Sequence, residues 1–178
     1  MSEELKKITP NFLLVTSLIF IAAFIRLIPH PPNFTPIAAI ALFGGAYFSR
    51  KVFAFIVPIS AMFLTDAIIG FHSLGWLVYL SFALIVAFGI FLLRKVSVKN
   101  VIIAAILSST SFFLITNFGV WFGSSFYPQN LSGLIECYIA AIPFFSNNIL
   151  GDLVYSGLIF GIYEFIKSSN PIFAEAKN

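Results

Sequence analysis

Charge is scarce in this chain: 10% of its 178 residues are Asp, Glu, Lys or Arg, while 60% are hydrophobic. A soluble globular domain draws on about 25% charged residues and about 45–50% apolar ones, so a water-facing surface of ordinary composition is excluded. There is one cysteine, Cys137, which rules out an intramolecular disulfide and leaves the redox compartment unmarked. The two histidines, His30 and His72, stand far apart, and neither H-x3-H nor H-E-x-x-H occurs, so no local metal-ligand spacing is present. G-x-S-x-G and the P-loop are missing too, which removes the usual routes to acyl transfer and nucleotide hydrolysis; no catalytic activity and no cofactor are expected. The net charge of +3 does not indicate nucleic acid, because in a membrane protein a basic excess belongs to cytoplasmic loops. No A-x-A-like cleavage site follows the first apolar run, so that run is expected to be a retained helix and not a signal peptide.

What the chain has in abundance is apolar length, with a mean hydropathy of +1.01. Runs of about 20 apolar residues match a bilayer core of about 30 Å. The expected fold is a single all-α membrane domain over residues 1–178, a bundle of about six transmembrane helices in a lipid bilayer. The expected spans are Asn11–Ile28, Pro36–Phe48, Val52–Gly70, Leu74–Leu93, Asn100–Phe122 and Pro143–Ile166. Prolines 29, 31 and 32 stop the first span. The second is short and rich in Ala and Gly, and its Ala41-x3-Gly45-x3-Ser49 spacing lets helix backbones approach closely, within the bundle or as a docking face for another membrane protein. Leu131–Ile142 is too short to cross, so an interfacial or re-entrant helix is expected before the last span.

Lys6, Lys7, Arg50, Lys51, Arg94, Lys95, Lys99, Lys167 and Lys177 fall at alternate ends of these spans, and the remaining loops carry no Lys. The positive-inside rule makes that side cytoplasmic, giving a multi-pass protein of the cell inner membrane with both termini in the cytoplasm. A rise of about 1.5 Å per residue from these boundaries places Asp66 and Asp152 roughly 22 Å up, Asn117 roughly 27 Å and Arg26 roughly 28 Å. Four helices therefore put polar groups in one outer layer, capped by loops with His30, Asn33 and His72, while Trp121, Asn147 and Asn148 stand at helix ends. The inner halves hold little stronger than Ser and Thr, which excludes a continuous polar path of the kind a channel needs. The pattern suggests a vestibule above a dry plug.

Each of these residues also has a structural reading. Asp66 and Asp152 pair with Arg26, hydrogen-bond to backbone freed near a kink, or contact a ligand; the histidines and Trp121 suit an interface; the paired amides suit helix caps.

The stretch Pro32-Asn33-Phe34-Thr35-Pro36 leading into the small-residue second helix, with Pro58, Leu64-Thr65-Asp66 and Asn148-Ile149-Leu150-Gly151-Asp152, resembles the substrate-binding S components of energy-coupling factor (ECF) vitamin transporters. An uncharacterised bacterial membrane family grouped near them is similar as well. The resemblance implies a six-helix bundle that captures a vitamin or related micronutrient in a pocket near its outer face. It further implies docking on a transmembrane T subunit driven by cytoplasmic ATPases. The Ala-x3-Ala motif frequent on the first helix of S components is not reproduced here. A membrane scaffold or assembly protein, its polar layer serving only helix packing, is the alternative. An intramembrane enzyme with Asp66 and His72 as acid and base would lack a nucleophile.

Overall fold

A computed structural model describes residues 3–71 and 74–174. These residues form α1 (Glu3–Ile25), α2 (Ile37–Tyr47), α3 (Lys51–Ile69), α4 (Gly75–Leu92), α5 (Val98–Gly123), α6 (Leu131–Ser169) and a terminal turn, α7 (Pro171–Ala174), with no strand among them. Helices α3, α4, α5 and α6 are each long and apolar enough to cross a membrane.

At about 1.5 Å per residue the 11 residues of α2 extend about 16 Å, roughly half of a bilayer core. Six of its 11 residues are Ala or Gly, so other helices can approach its backbone closely and it can serve as the axis of the bundle. Ala38 through Gly45 are all buried, and α2 packs against α1, α3, α4, α5 and α6. Two glycines of α2 and one of α4 fix the closest approaches. A Cβ on Gly44 would lie 2.5 Å from Pro58 Cγ on α3. A Cβ on Gly45 would run into the Val86 carbonyl oxygen and sit 2.8 Å from Gly89 Cα on α4, and one on Gly89 would lie 2.5 Å from the Leu42 oxygen. The close contact expected of the second segment is thus made inside the bundle. Ala41 and Gly45 are buried there, whereas Ser49 is exposed beyond the helix end, so the three do not form a free docking face.

The expected break before the last span is absent. Residues 131–169 form one helix with Pro143 inside it, and Leu131–Ile142 is its first third, not a separate interfacial or re-entrant piece. The Asn130 side chain caps the start by accepting from the Gly133 N–H. Cys137 and Ala141 are buried, the Cys137 thiol donates to the Asn117 carbonyl, and the Tyr138 hydroxyl donates to the Leu114 carbonyl at 2.7 Å. Proline removes one helical hydrogen bond, and packing against α5 carries the helix through that loss. Helices α5 and α6 consequently lie antiparallel as a long hairpin.

Large apolar side chains such as Ile21, Val52, Ile56, Phe63, Ile68, Leu80, Phe91, Phe118 and Phe165 cover the outside. Buried polar residues, among them Thr65, Asp66, Ser109, Asn148 and Asp152, sit inside. This is the arrangement expected of a bundle whose solvent is lipid.

Candidate functional site

The polar residues expected in one layer divide into two groups. In the first, Arg26 follows the end of α1 and reaches α3. Its Nη2 lies 2.8 Å from Asp66 Oδ1, and its Nη1 donates to Thr65 Oγ1 at 2.6 Å. The Tyr79 hydroxyl of α4 donates to Asp66 Oδ2 at 2.8 Å. Both carboxylate oxygens are occupied, and the Arg26 and Asp66 side chains are 11% and 4% exposed. This group is an ion pair tying α1, α3 and α4, in which each carboxylate oxygen already accepts from a protein donor.

The second group joins α5 to α6. Asp152 Oδ2 accepts from the Ser109 hydroxyl at 2.6 Å and from Asn148 Nδ2 at 2.7 Å. Asp152 is 3% exposed, and among the described residues it has no Lys or Arg partner. Asp66 and Asp152 share a depth by residue count yet belong to different contacts.

Beside this second group lies a cavity of about 220 Å³. Phe112, Phe113, Thr116 and Asn117 of α5 form one wall, Ala141, Phe144, Phe145 and Asn148 of α6 the other, and Asn33 from the α1–α2 connection completes it. The pairs Phe112/Thr116, Phe113/Asn117 and Phe144/Asn148 are four residues apart, so each aromatic ring shares a helix face with a polar group. Phe113 and Phe145 stack across the hairpin with ring centroids 4.4 Å apart. Asn33 has φ 64°, the left-handed region that few residues other than glycine adopt and where Asn is enriched.

The α1–α2 connection is held down on α6. Asn147 Nδ2 donates to the Pro32 carbonyl at 3.0 Å, Phe34 packs on Tyr155 with centroids 5.5 Å apart, and a Cβ on Gly151 would lie 3.1 Å from Phe34 Cα. A side chain at Gly151 would press on the backbone of Phe34 and Thr35, which would have to give way by a few tenths of an ångström.

Of the residues singled out from the sequence, Asn33, Asn117 and Asn148 line the cavity, and Asp152 braces Asn148 from behind. Arg26 and Asp66 stand apart from it in their ion pair. Asn147 acts on the connection, Trp121 Nε1 donates to the Pro128 carbonyl at 2.9 Å, and His30, exposed, bonds the Ile28 carbonyl. His72 lies outside the described residues. Sequence reasoning missed Ser109, Thr116 and the four phenylalanines. The available signal was an aromatic doublet placed about one turn before polar side chains on both helices, Phe112-Phe113 before Thr116-Asn117 and Phe144-Phe145 before Asn147-Asn148. Among the described residues no cluster of His, Cys, Asp and Glu could hold a metal ion.

No curated protein and no solved structure matches the chain. A family of unknown function, DUF6580, matches residues 6–173, nearly the whole length, and the chain belongs to that family.

Proposed function

We propose that the protein is the substrate-capture subunit of a membrane transporter, holding a small molecule of the vitamin or micronutrient class in the cavity between α5 and α6. The observation that carries this reading is the cavity itself: about 220 Å³, walled by four phenylalanines and supplied with the amides of Asn33, Asn117 and Asn148. Apolar and aromatic walls with convergent polar groups are the usual make-up of a ligand pocket, and here four phenylalanines and Ala141 face three asparagines and Thr116. The resemblance to ECF S components supports it, and with that resemblance comes docking on a T subunit with cytoplasmic ATPases. The scaffold reading draws its support from the Arg26–Asp66 pair, in which both carboxylate oxygens and both Arg26 Nη atoms engage protein groups.

In this reading six segments cross the inner membrane, with both termini in the cytoplasm, and the cavity opens toward the outside. In a Cys137→Ala background, single cysteines at Arg50 and Arg94 are expected to be protected from impermeant thiol reagent in intact cells, and one at Gln129 to be labelled. Labelling at the Arg50 position from outside would overturn the orientation.

Capture is tested on the protein purified from cells by solvent extraction and mass spectrometry of the released small molecules. Asn117→Ala is expected to weaken retention by about 1–3 kcal/mol, roughly fivefold to 150-fold, because a placed polar contact is lost. Ala141→Phe should abolish retention by filling the cavity. Equal extracts from wild type and both variants would leave the scaffold reading in place.

A further inference from the structure

The contact between α2 and α4 sets two basic turns side by side. Its glycines are reciprocal: a Cβ on Gly45 would meet the Val86 carbonyl oxygen, and one on Gly89 would meet that of Leu42. Val86 precedes Gly89 by the same three residues by which Leu42 precedes Gly45, so the helices run parallel with Gly45 level with Gly89. Arg50-Lys51 follows Gly45, and Arg94-Lys95 follows Gly89, by the same five and six residues. Phe48 and Leu93, both buried, anchor the two turns, and the four basic side chains are exposed. One pair stands about an interhelical distance, 8–10 Å, from the other. From here α5 climbs roughly 20 Å before it reaches the cavity at Phe112.

No acidic residue nearby in the sequence balances this charge. Asp and Glu are missing between Glu4 and Asp66 and again between Asp66 and Glu136. Asp66 is taken by Arg26, and among the described residues no other ion pair is formed. Glu164, beside the end of α2, accepts from the Tyr47 hydroxyl. Four like charges at one level repel each other until an anion joins them. The side chains that follow or precede them by about one turn are apolar and exposed: Val52 and Ile56 on α3, Phe91 on α4, Val98 and Ile102 on α5. The Arg94 guanidinium lies over the Phe91 ring, 5.8 Å from its centroid, so the charge sits directly against that apolar surface. Cations rimmed by outward apolar side chains match a molecule with an anionic head and hydrocarbon tails.

We infer that the two turns form one site for an anionic phospholipid carrying two phosphates. One phosphate sits on Arg50 and Lys51 and the other on Arg94 and Lys95, each held by a guanidinium fork and an ammonium point charge. The acyl chains run along Val52, Ile56 and Phe91. The site is separate from the cavity and stands whether or not a solute is captured there.

The purified full-length protein in neutral detergent is offered diphosphatidylglycerol, phosphatidylglycerol and phosphatidylcholine in mixed micelles at equal total phosphate, and retained lipid is read by native mass spectrometry. One diphosphatidylglycerol per chain is expected, favoured at least about tenfold over phosphatidylglycerol, with phosphatidylcholine not retained. Arg50→Gln/Lys51→Gln and Arg94→Gln/Lys95→Gln should each lower that retention about thirtyfold, the share of two basic residues at a membrane surface. Circular dichroism checks that both variants keep their helices. Lys167→Gln removes a charge outside the two turns and should leave the preference intact. Equal retention of the two anionic lipids overturns the inference, and so does retention unchanged in either double variant or lost equally in Lys167→Gln. Binding of poly-glutamate with no lipid retained would assign the patch to an acidic protein partner and overturn it as well.

Discussion

Asp66→Ala is expected to destabilise the protein more than any other single change in the polar layer. Removing the carboxylate leaves the Arg26 guanidinium, 11% exposed, without its partner at 2.8 Å. It also takes the acceptor from the Tyr79 hydroxyl. Breaking a buried pair by deleting one member typically costs about 3–5 kcal/mol, whereas replacing both members with apolar groups is often neutral. The double variant Arg26→Met/Asp66→Leu should therefore recover most of the loss. Thermal unfolding of the two single variants and the double in detergent measures this directly. A single variant as stable as the wild type would show that the pair contributes nothing. Because neither residue lines the cavity, ligand retention per folded molecule should be unchanged by Asp66→Ala.

Gly45→Leu is the second large effect. The position admits no Cβ without meeting the Val86 carbonyl oxygen and Gly89 Cα, both backbone atoms of α4. Backbone cannot rotate out of the way as a side chain can, so α2 and α4 must separate along a contact buried on every side. Overpacking typically costs about 1–3 kcal/mol, and this site belongs at the upper end because no flexible group is available to yield. Gly157, where a Cβ meets nothing, provides the control. A Gly157→Leu variant should keep the melting temperature of the wild type, and Gly45→Leu should lower it clearly. Equal melting temperatures would place the α2–α4 contact elsewhere.

Most of the helical plan could be read from the sequence because the bilayer imposes a length on apolar runs. Asn11–Ile28, Val52–Gly70, Leu74–Leu93 and Asn100–Phe122 each correspond to an observed helix. The short second segment was recognisable by its alanines and glycines, since only small side chains let a helix sit inside others. The length of Leu131–Ile142 misled: too short to cross alone, it continues through Pro143 into the last span, and the packing of Cys137 and Ala141, invisible in a linear sequence, supports that one helix.

The site divides along the same line. Counting residues from the basic boundaries gives height, and height alone put Arg26, Asp66, Asn117 and Asp152 in one outer layer. Rotation about the bundle axis is not given by such counting. It depends on which helices are neighbours, and for that reason Asp66 and Asp152, level in the count, face different partners. The phenylalanines were overlooked because in a chain with 23 of them an aromatic ring carries little information until a second helix is set opposite.

Native mass spectrometry of the full-length protein, released gently from detergent directly after purification, tests the central claim of capture most directly. A single non-lipid adduct at one copy per chain is predicted for the wild type, absent from Ala141→Phe and depleted in Asn117→Ala. Protein that carries only lipid and detergent masses, or an adduct equally abundant in all three, would contradict it.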